Sequence, residues 1–310
     1  MSFLKSYADK STSYHFLAFG IVAMVCFFLF SFFGVVAAIL VYDFNLLNNP
    51  NFTSQISGPK VVNALRLIQL FNAAGLFIVP PIVYSILFGY KPLKFFKLNS
   101  KFSLKSTFMV LAIMIVALPL INWMAVANSS MHLPGFLADL ESWMRRSEES
   151  AKILTEALLN METYGVLAAN LIVVAIIPAI GEELFFRGGL QQIMQKGTKN
   201  HHLAIWITAY IFSALHMQFL GFFPRMFLGA LFGYLFYWSG SLWLPIIGHF
   251  LNNGLAVLVA FMIQREKIDT TVETVGANSG DITFVISSGL LLGFVVYSFY
   301  KNSNSSRVES

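Results

Sequence analysis

The sequence predicts an all-α fold, a polytopic integral membrane bundle of about eight transmembrane helices. Three observations carry that expectation. Apolar residues make up 57% of the chain and charged residues only 11%, against about 25% charged in ordinary soluble domains. The mean hydropathy is +0.70. The apolar residues also gather into runs of about twenty or more, the length a helix needs to cross the hydrocarbon layer.

By that criterion spans fall near 14–42, 62–89, 106–127, 163–187, 203–220, 222–239, 243–263 and 282–300. The first run, from about Tyr14 to Tyr42, is too long for a signal-peptide core and lacks a small-residue cleavage site, so it is read as a span. It is long enough to tilt or to extend beyond the bilayer. The second carries Arg66 near its start and Pro80-Pro81 inside. Proline removes a backbone donor and clashes with the preceding turn, so a kink is expected there.

Basic residues set the orientation. Lys5 and Lys10 precede the first span; Lys91, Lys94, Lys97, Lys101 and Lys105 crowd the connection after the second; Lys196 and Lys199 follow the fourth; Lys301 and Arg307 follow the last. Placing all of them in the cytoplasm puts both termini inside. The long 128–162 connection then lies outside, where Asp139, Glu141, Glu148, Glu149, Glu156 and Glu162 outnumber Arg145, Arg146 and Lys152. Within it, Phe136, Leu137, Leu140, Trp143 and Met144 recur at helical spacing among charges, which fits either an interfacial amphipathic helix or a solvated helical connector. The polar tail after Tyr300 is expected to lack structure. Short loops and the absence of an organelle-targeting segment favour a prokaryotic cytoplasmic membrane.

The pI near 9.2 does not imply a nucleic-acid partner, because the basic residues sit in short loops where they act as topology signals. The single Cys26 excludes an internal disulfide and is read as a small hydrophobe in an apolar run.

Against this background three polar clusters stand out. Gly181-Glu182-Glu183-Leu184-Phe185-Phe186-Arg187 closes an apolar run that starts at Gly165; Phe212 to His216 and His249 to Asn253 lie in similarly apolar surroundings. A charge at bilayer depth costs roughly 2.5–3.5 kcal/mol, and such groups usually face a bundle interior or a water-filled cavity. On a helix Glu183 and Arg187 are neighbours four apart and can pair, while Glu182 is rotated by about 100° and points elsewhere. An arginine that neutralises one carboxylate leaves the other as a tunable base. His249 and Asn253 project from one helix face in the same way. The other histidines, His15, His132, His201 and His202, sit at span ends or in loops, where a solvated or interfacial place is expected.

Each cluster alone also reads as helix packing: a Glu–Arg clamp, or the inter-helix hydrogen bonds that a single intramembrane His or Asn makes more often than it performs chemistry. Together they supply a base, a second proton-handling group and donors for an oxyanion. Two histidines and Glu182 also describe a zinc donor set, with Glu182, His216 and His249 as ligands, but the His-Glu-x-x-His spacing is absent, so zinc ranks below a metal-free base. No serine sits in a nucleophile-elbow context and the cysteine is remote, which argues against covalent catalysis.

Glu182-Glu183-x-x-x-Arg187, Phe212-x-x-x-His216 and His249-x-x-x-Asn253 resemble the three ordered motifs of the CAAX-protease and bacteriocin-processing family of intramembrane peptidases, and Gly240 to Ile246 before the third is similar to it too. The resemblance covers about 154–263. It divides the chain into N-terminal helices with the amphipathic loop, 1–153; a catalytic core, 154–263; and a loop, last helix and tail, 264–310. It implies an eight-helix enzyme without a cofactor that cleaves a peptide or membrane-protein segment in the lipid bilayer. Glu182 would be the general base, His216 would position water, His249 and Asn253 would stabilise the oxyanion, and Glu183 with Arg187 would support them. The family's metalloprotease label fits these residues less well than glutamate chemistry, and nothing in them implies a prenyl substrate. The alternative is a non-catalytic membrane protein with an immunity or scaffold role. A proton-coupled transporter ranks last, since no duplicated hydropathy halves are visible. On the simple span boundaries Glu182 and His216 fall at opposite ends of their helices, so their meeting requires the fourth helix to run deeper, toward Gln195, or one helix to be offset.

Overall fold

The computed structural model describes residues 10–44, 56, 58–269, 275–278 and 280–308, so Lys5 lies outside it. Among the described residues the regular structure is helical throughout. Its principal elements are α1 (Thr12–Tyr42), α2 (Pro59–Leu87), α3 (Leu104–Ser129), α4 (Ala138–Leu159), α5 (Tyr164–Thr198), α6 (His201–Leu215), α7 (Phe222–Ser239), α8 (Trp243–Gln264) and α9 (Ile282–Val308). Among the described residues seven segments are long and apolar enough to cross a membrane: α1, α2, α3, α5, α7 with its preceding turn, α8 and α9. Their outer faces are strongly apolar, with Leu40 80% exposed and Leu290 72% exposed, as surfaces facing lipid require. The protein is an integral membrane bundle.

Two boundaries differ from expectation, and both bear on the site. The fourth span does not stop near 187 but continues to Thr198, 35 residues in all, so Glu182 sits at mid-helix. The span expected over 203–220 is only the 15-residue α6. At ~1.5 Å per residue α6 rises about 22 Å, short of the ~30 Å hydrocarbon thickness. Beyond it the chain turns through Met217 and Gln218 into a 3-10 turn at Phe219–Gly221 and re-enters as α7. The longer α5 and the shorter α6 together resolve the mismatch between Glu182 and His216. The tail expected to lack structure continues α9 as far as Val308.

The connections sort into two ends. At one, the indole of Trp243 donates to the Leu98 carbonyl and Leu242 N–H to the Lys97 carbonyl, so the lysine-rich 91–105 connection caps the start of α8. At the other lies α4. Ser147 Oγ donates to the Met217 carbonyl at 3.0 Å, Glu148 accepts from Leu220 N–H at 3.1 Å, and Trp143 packs on Phe219 with ring centroids 5.3 Å apart. The amphipathic segment is therefore a helix laid across the turn that follows His216.

The two largest apolar clusters of the described residues frame the bundle. One joins α1, α2, α5 and α6 through Phe19, Tyr84, Phe185, Phe186 and Phe212; the other joins α3, α7, α8 and α9 through Ile113, Met114, Phe232, Leu244 and Phe299. The charged cluster of α5 lies at the seam between them. Close approach across the seam depends on Gly229 and Gly233 of α7. A methyl on Gly229 would stand 3.2 Å from the Ala209 Cα, and one on Gly233 would stand 2.8 Å from Ile205.

The kink expected at Pro80-Pro81 takes a specific form, a π-helical turn at Ala74–Ile78 directly before the prolines. Such turns absorb the backbone bonds that proline cannot make. His15, expected at a solvated span end, is instead 3% exposed, its Nδ1 2.7 Å from the Tyr84 hydroxyl.

Candidate active site

Helix α5 carries Glu182 and Glu183 in a seven-residue α-helical stretch, Ile177–Glu183, with π-helical segments at Leu171–Ile176 before it and Leu184–Gln191 after it. Pro178 explains part of this. It has no N–H to give the Val174 carbonyl four residues earlier, and that carbonyl accepts from Asn253 Nδ2 at 3.1 Å. π-helical turns widen the helix and redirect side chains, which is why they recur at functional positions.

The pairing expected of Glu183 and Arg187 is present. Glu183 and Arg187 are both fully buried and paired, Arg187 Nη1 donating to Glu183 Oε1 at 2.7 Å. Arg187 Nη2 donates to the Gly229 carbonyl at 2.7 Å, and four residues on Gln191 Nε2 donates to the Gly233 carbonyl at 3.1 Å. This ladder runs along the two glycines of α7, so the small residues that admit α5 also expose the acceptors it uses. The guanidinium is flanked by the rings of Phe212 and Phe232, 4.9 and 5.5 Å from their centroids, a favourable arrangement for a buried cation.

Glu182 points the other way, into a cavity of about 310 Å³ that it lines with Phe212, His216, Arg225, His249, Asn252 and Asn253. It is 8% exposed, and its Oε2 has no hydrogen-bond partner in the protein. Two imidazoles face that oxygen, His216 Nε2 at 3.9 Å and His249 Nε2 at 3.8 Å. Both rings are anchored through their other nitrogen, His216 Nδ1 2.7 Å from the Phe212 carbonyl and His249 Nδ1 2.8 Å from Glu183 Oε1. A carbonyl or carboxylate oxygen can only accept, so each Nδ1 carries the proton, and each Nε2 of a neutral ring presents its lone pair toward Glu182. His249 is also stacked on Phe232, ring planes 18° apart.

The structure thus brings together all six residues singled out in the sequence. Asn253 shares the cavity with His249, as their spacing requires, though one of its amide hydrogens is committed to Val174 and its Oδ1 accepts from Asn252 Nδ2 at 3.1 Å. Phe212 has three contacts that its place in a motif did not disclose: its carbonyl anchors His216, and its ring touches both Arg187 and His216. Arg225 and Asn252 also line the cavity and were not singled out. Arg225 could have been found by the criterion that found Glu182, since it is the single charge in the apolar stretch Phe219 to Ser239.

A zinc ion bound at ~2.0–2.1 Å in tetrahedral geometry holds its donor atoms about 3.3 Å apart. The separations of 3.8 and 3.9 Å about Glu182 Oε2 are wider than that, so the donor set suits zinc by residue type but does not form a closed cage as it stands.

Residues 165–255 match the family model described as Type II CAAX prenyl endopeptidase Rce1-like. A protein of Bacillus subtilis (strain 168), named Uncharacterized protein YpbD, is 30% identical over 111 residues, which cover 34% of this chain and 54% of YpbD. The chain spans about half the length of that curated relative, whose name assigns it no activity. No solved structure matches the chain. The matched stretch is the one that supplies all three polar motifs and every charged wall of the cavity, and over it the chain is similar to the Rce1-like CAAX endopeptidases.

Proposed function

We propose that the protein is an intramembrane endopeptidase in which Glu182 activates water for peptide hydrolysis, without a metal, on a peptide or membrane-protein segment. The observation that carries this is the convergence on Glu182 Oε2, a buried carboxylate oxygen without a protein partner, of two Nε2 atoms whose rings are fixed by their Nδ1 bonds.

A water in that space donates one hydrogen to Glu182 and the other to His216 Nε2, which orients its lone pair toward a substrate carbonyl in the cavity. As the oxygen attacks the carbonyl carbon, its proton passes to Glu182 and negative charge develops on the carbonyl oxygen. Asn252 and the uncommitted amide hydrogen of Asn253 donate to that oxyanion. His249 does so only as an imidazolium, because its first N–H is held by Glu183, and the Glu183 carboxylate is placed to stabilise that charge. Collapse of the intermediate breaks the C–N bond as Glu182 returns its proton to the leaving nitrogen, and the new carboxylic acid gives its remaining proton to the released amine, leaving a carboxylate and an ammonium group. General-base catalysis of this kind contributes about 10²–10⁴-fold.

The lysine-rich end is assigned to the cytoplasm by the positive-inside rule, in a prokaryotic cytoplasmic membrane. The family description names a CAAX prenyl endopeptidase, but this reading invokes no prenyl group.

The test is a survey of new peptide termini in membranes from cells expressing the wild-type chain or Glu182→Gln at matched protein levels. Termini present only with the wild type support hydrolysis and identify substrates. Matching profiles, with the wild-type phenotype retained in Glu182→Gln, reject it in favour of a non-catalytic immunity or scaffold role.

A further inference from the structure

Besides Glu182, Glu183 and Arg187, the seam holds one more charge, Arg225. It lies in the first turns of α7 and lines the same cavity as Glu182, His216 and His249. Its guanidinium is fixed by one residue of the turn after His216: Nη1 donates to the Gln218 carbonyl at 3.1 Å and Nη2 to Gln218 Oε1 at 2.8 Å. Both acceptors are neutral. Among the described residues no carboxylate oxygen lies within 4 Å of it, and Glu148 and Glu182 are only within longer electrostatic reach.

Arg187 and Arg66, which are buried where Arg225 is only partly so, are differently provided for. Arg187 has Glu183 at 2.7 Å. Arg66 uses all three nitrogens, Nε on Asn170, Nη1 on Asn63 and Nη2 on the Leu158 carbonyl, as a strap between helices. Arg225 hydrogen-bonds through two nitrogens to a single side, leaving the remaining N–H groups of a rigid five-donor fork for the cavity. A cation at this depth is costly. An anionic ligand offsets that cost, and a planar fork matches a carboxylate in particular.

We infer that Arg225 is a substrate-specificity residue that binds a carboxylate group of the peptide substrate, close to the bond that Glu182 attacks. The inference rests on the peptidase reading above. A substrate carboxylate entering the cavity brings a second negative charge beside Glu182, and Arg225, held by Gln218 in the same cavity, neutralises it. The carboxylate has two possible sources, a free C-terminus or an aspartate or glutamate side chain near the scissile bond.

The experiment uses the full chain as Glu182→Gln in lipid nanodiscs, so that nothing is turned over. The probes are a dansyl-labelled apolar octapeptide with a free C-terminus, the same peptide amidated, and the amidated peptide with one aspartate near its C-terminus. With Arg225 present, at least one acidic form is expected to bind about tenfold or more tightly than the plain amide, and which one does so identifies the source. Adding Arg225→Met should bring the ratio near one while the amide's affinity moves less than about twofold, which shows that the site is still folded; Arg225→Lys should retain part of the preference. The assignment is overturned by equal binding of all three peptides, by a preference that survives Arg225→Met, or by no peptide binding at all. The loss of new termini in Glu182→Gln membranes is read independently, so equal binding together with that loss removes the Arg225 assignment and leaves the hydrolase standing.

Discussion

Replacing Arg187 with methionine is expected to destabilise the bundle by about 3–5 kcal/mol, the range for removing one partner of a buried ion pair. The structure supplies each part of that figure. The substitution deletes charge-assisted bonds of 2.7 Å to Glu183 and 2.7 Å to the Gly229 carbonyl, each worth about 1.5–3 kcal/mol. It strands a fully buried carboxylate that keeps only the His249 Nδ1–H, at 2.8 Å, as a side-chain partner among the described residues. Adding Glu183→Gln should return about half of the loss, because no uncompensated charge is then left inside. The assay is reversible unfolding in mixed micelles, run as a double-mutant cycle of wild type, both single variants and the double variant. Ordinary inter-helix hydrogen bonds in membranes couple by only ~0.6 kcal/mol. A coupling near that value, or a double variant no more stable than Arg187→Met, would refute the view that the pair is a desolvated ionic clamp.

Other expectations follow from the same geometry. Gly229→Val should lose folded protein, since its side chain meets the α6 backbone at 3.2 Å from the Ala209 Cα; overpacking of this kind costs about 1–3 kcal/mol, and a wild-type unfolding midpoint would contradict the close α6–α7 packing. Phe212→Leu keeps the carbonyl that anchors His216 but removes the ring over Arg187, so it should cost stability with His216 still in place, read as a shifted unfolding midpoint with residual activity. At the acidic end, Glu141 accepts from Leu133 N–H, Arg145 and His132, which hold its carboxyl down to about 2. Because the folded value lies below the ordinary carboxylate range, the ordering of 131–145 is fully present above about pH 4.3 and is lost as pH falls toward 2. Amide exchange in that segment should therefore be flat in protection at neutral pH and rise only in acid; a transition near pH 6 would contradict it. Chelator treatment at fixed pH should leave the appearance of new termini unchanged, and loss restored by added zinc would replace the base with a metal centre.

The bundle was legible in the sequence because hydropathy reports burial in lipid directly, and the site because ionisable side chains are rare in such runs. What escaped has physical reasons. The end of α6 was invisible because Met217, Phe219 and Leu220 in the following turn are as apolar as the helix itself, so the run read through to 220. The depth of α5 was hidden by Gly188, Gly189 and Gln191, polar or small residues that hydropathy places outside a membrane but that here face a packed interior. The π-helical turns beside Glu182 leave no periodic trace over so few residues. Arg225 was passed over because it belongs to none of the three motifs, although it is a charge in an apolar run like the others. The pairing of Glu183 with Arg187 and the shared face of His249 and Asn253 emerged intact, because spacing of four on a helix fixes which side chains meet.

The most direct test of the mechanism is hydrolysis in ¹⁸O-labelled water by purified wild type and Glu182→Gln in nanodiscs, using a segment identified from the survey of new termini. Water activated by Glu182 places a single ¹⁸O in the newly formed C-terminal carboxylate of the wild-type product, and the variant should make that product at least about 10²–10⁴-fold more slowly. Cleavage by Glu182→Gln at the wild-type rate, with the same label, would contradict the assignment of Glu182 as the base.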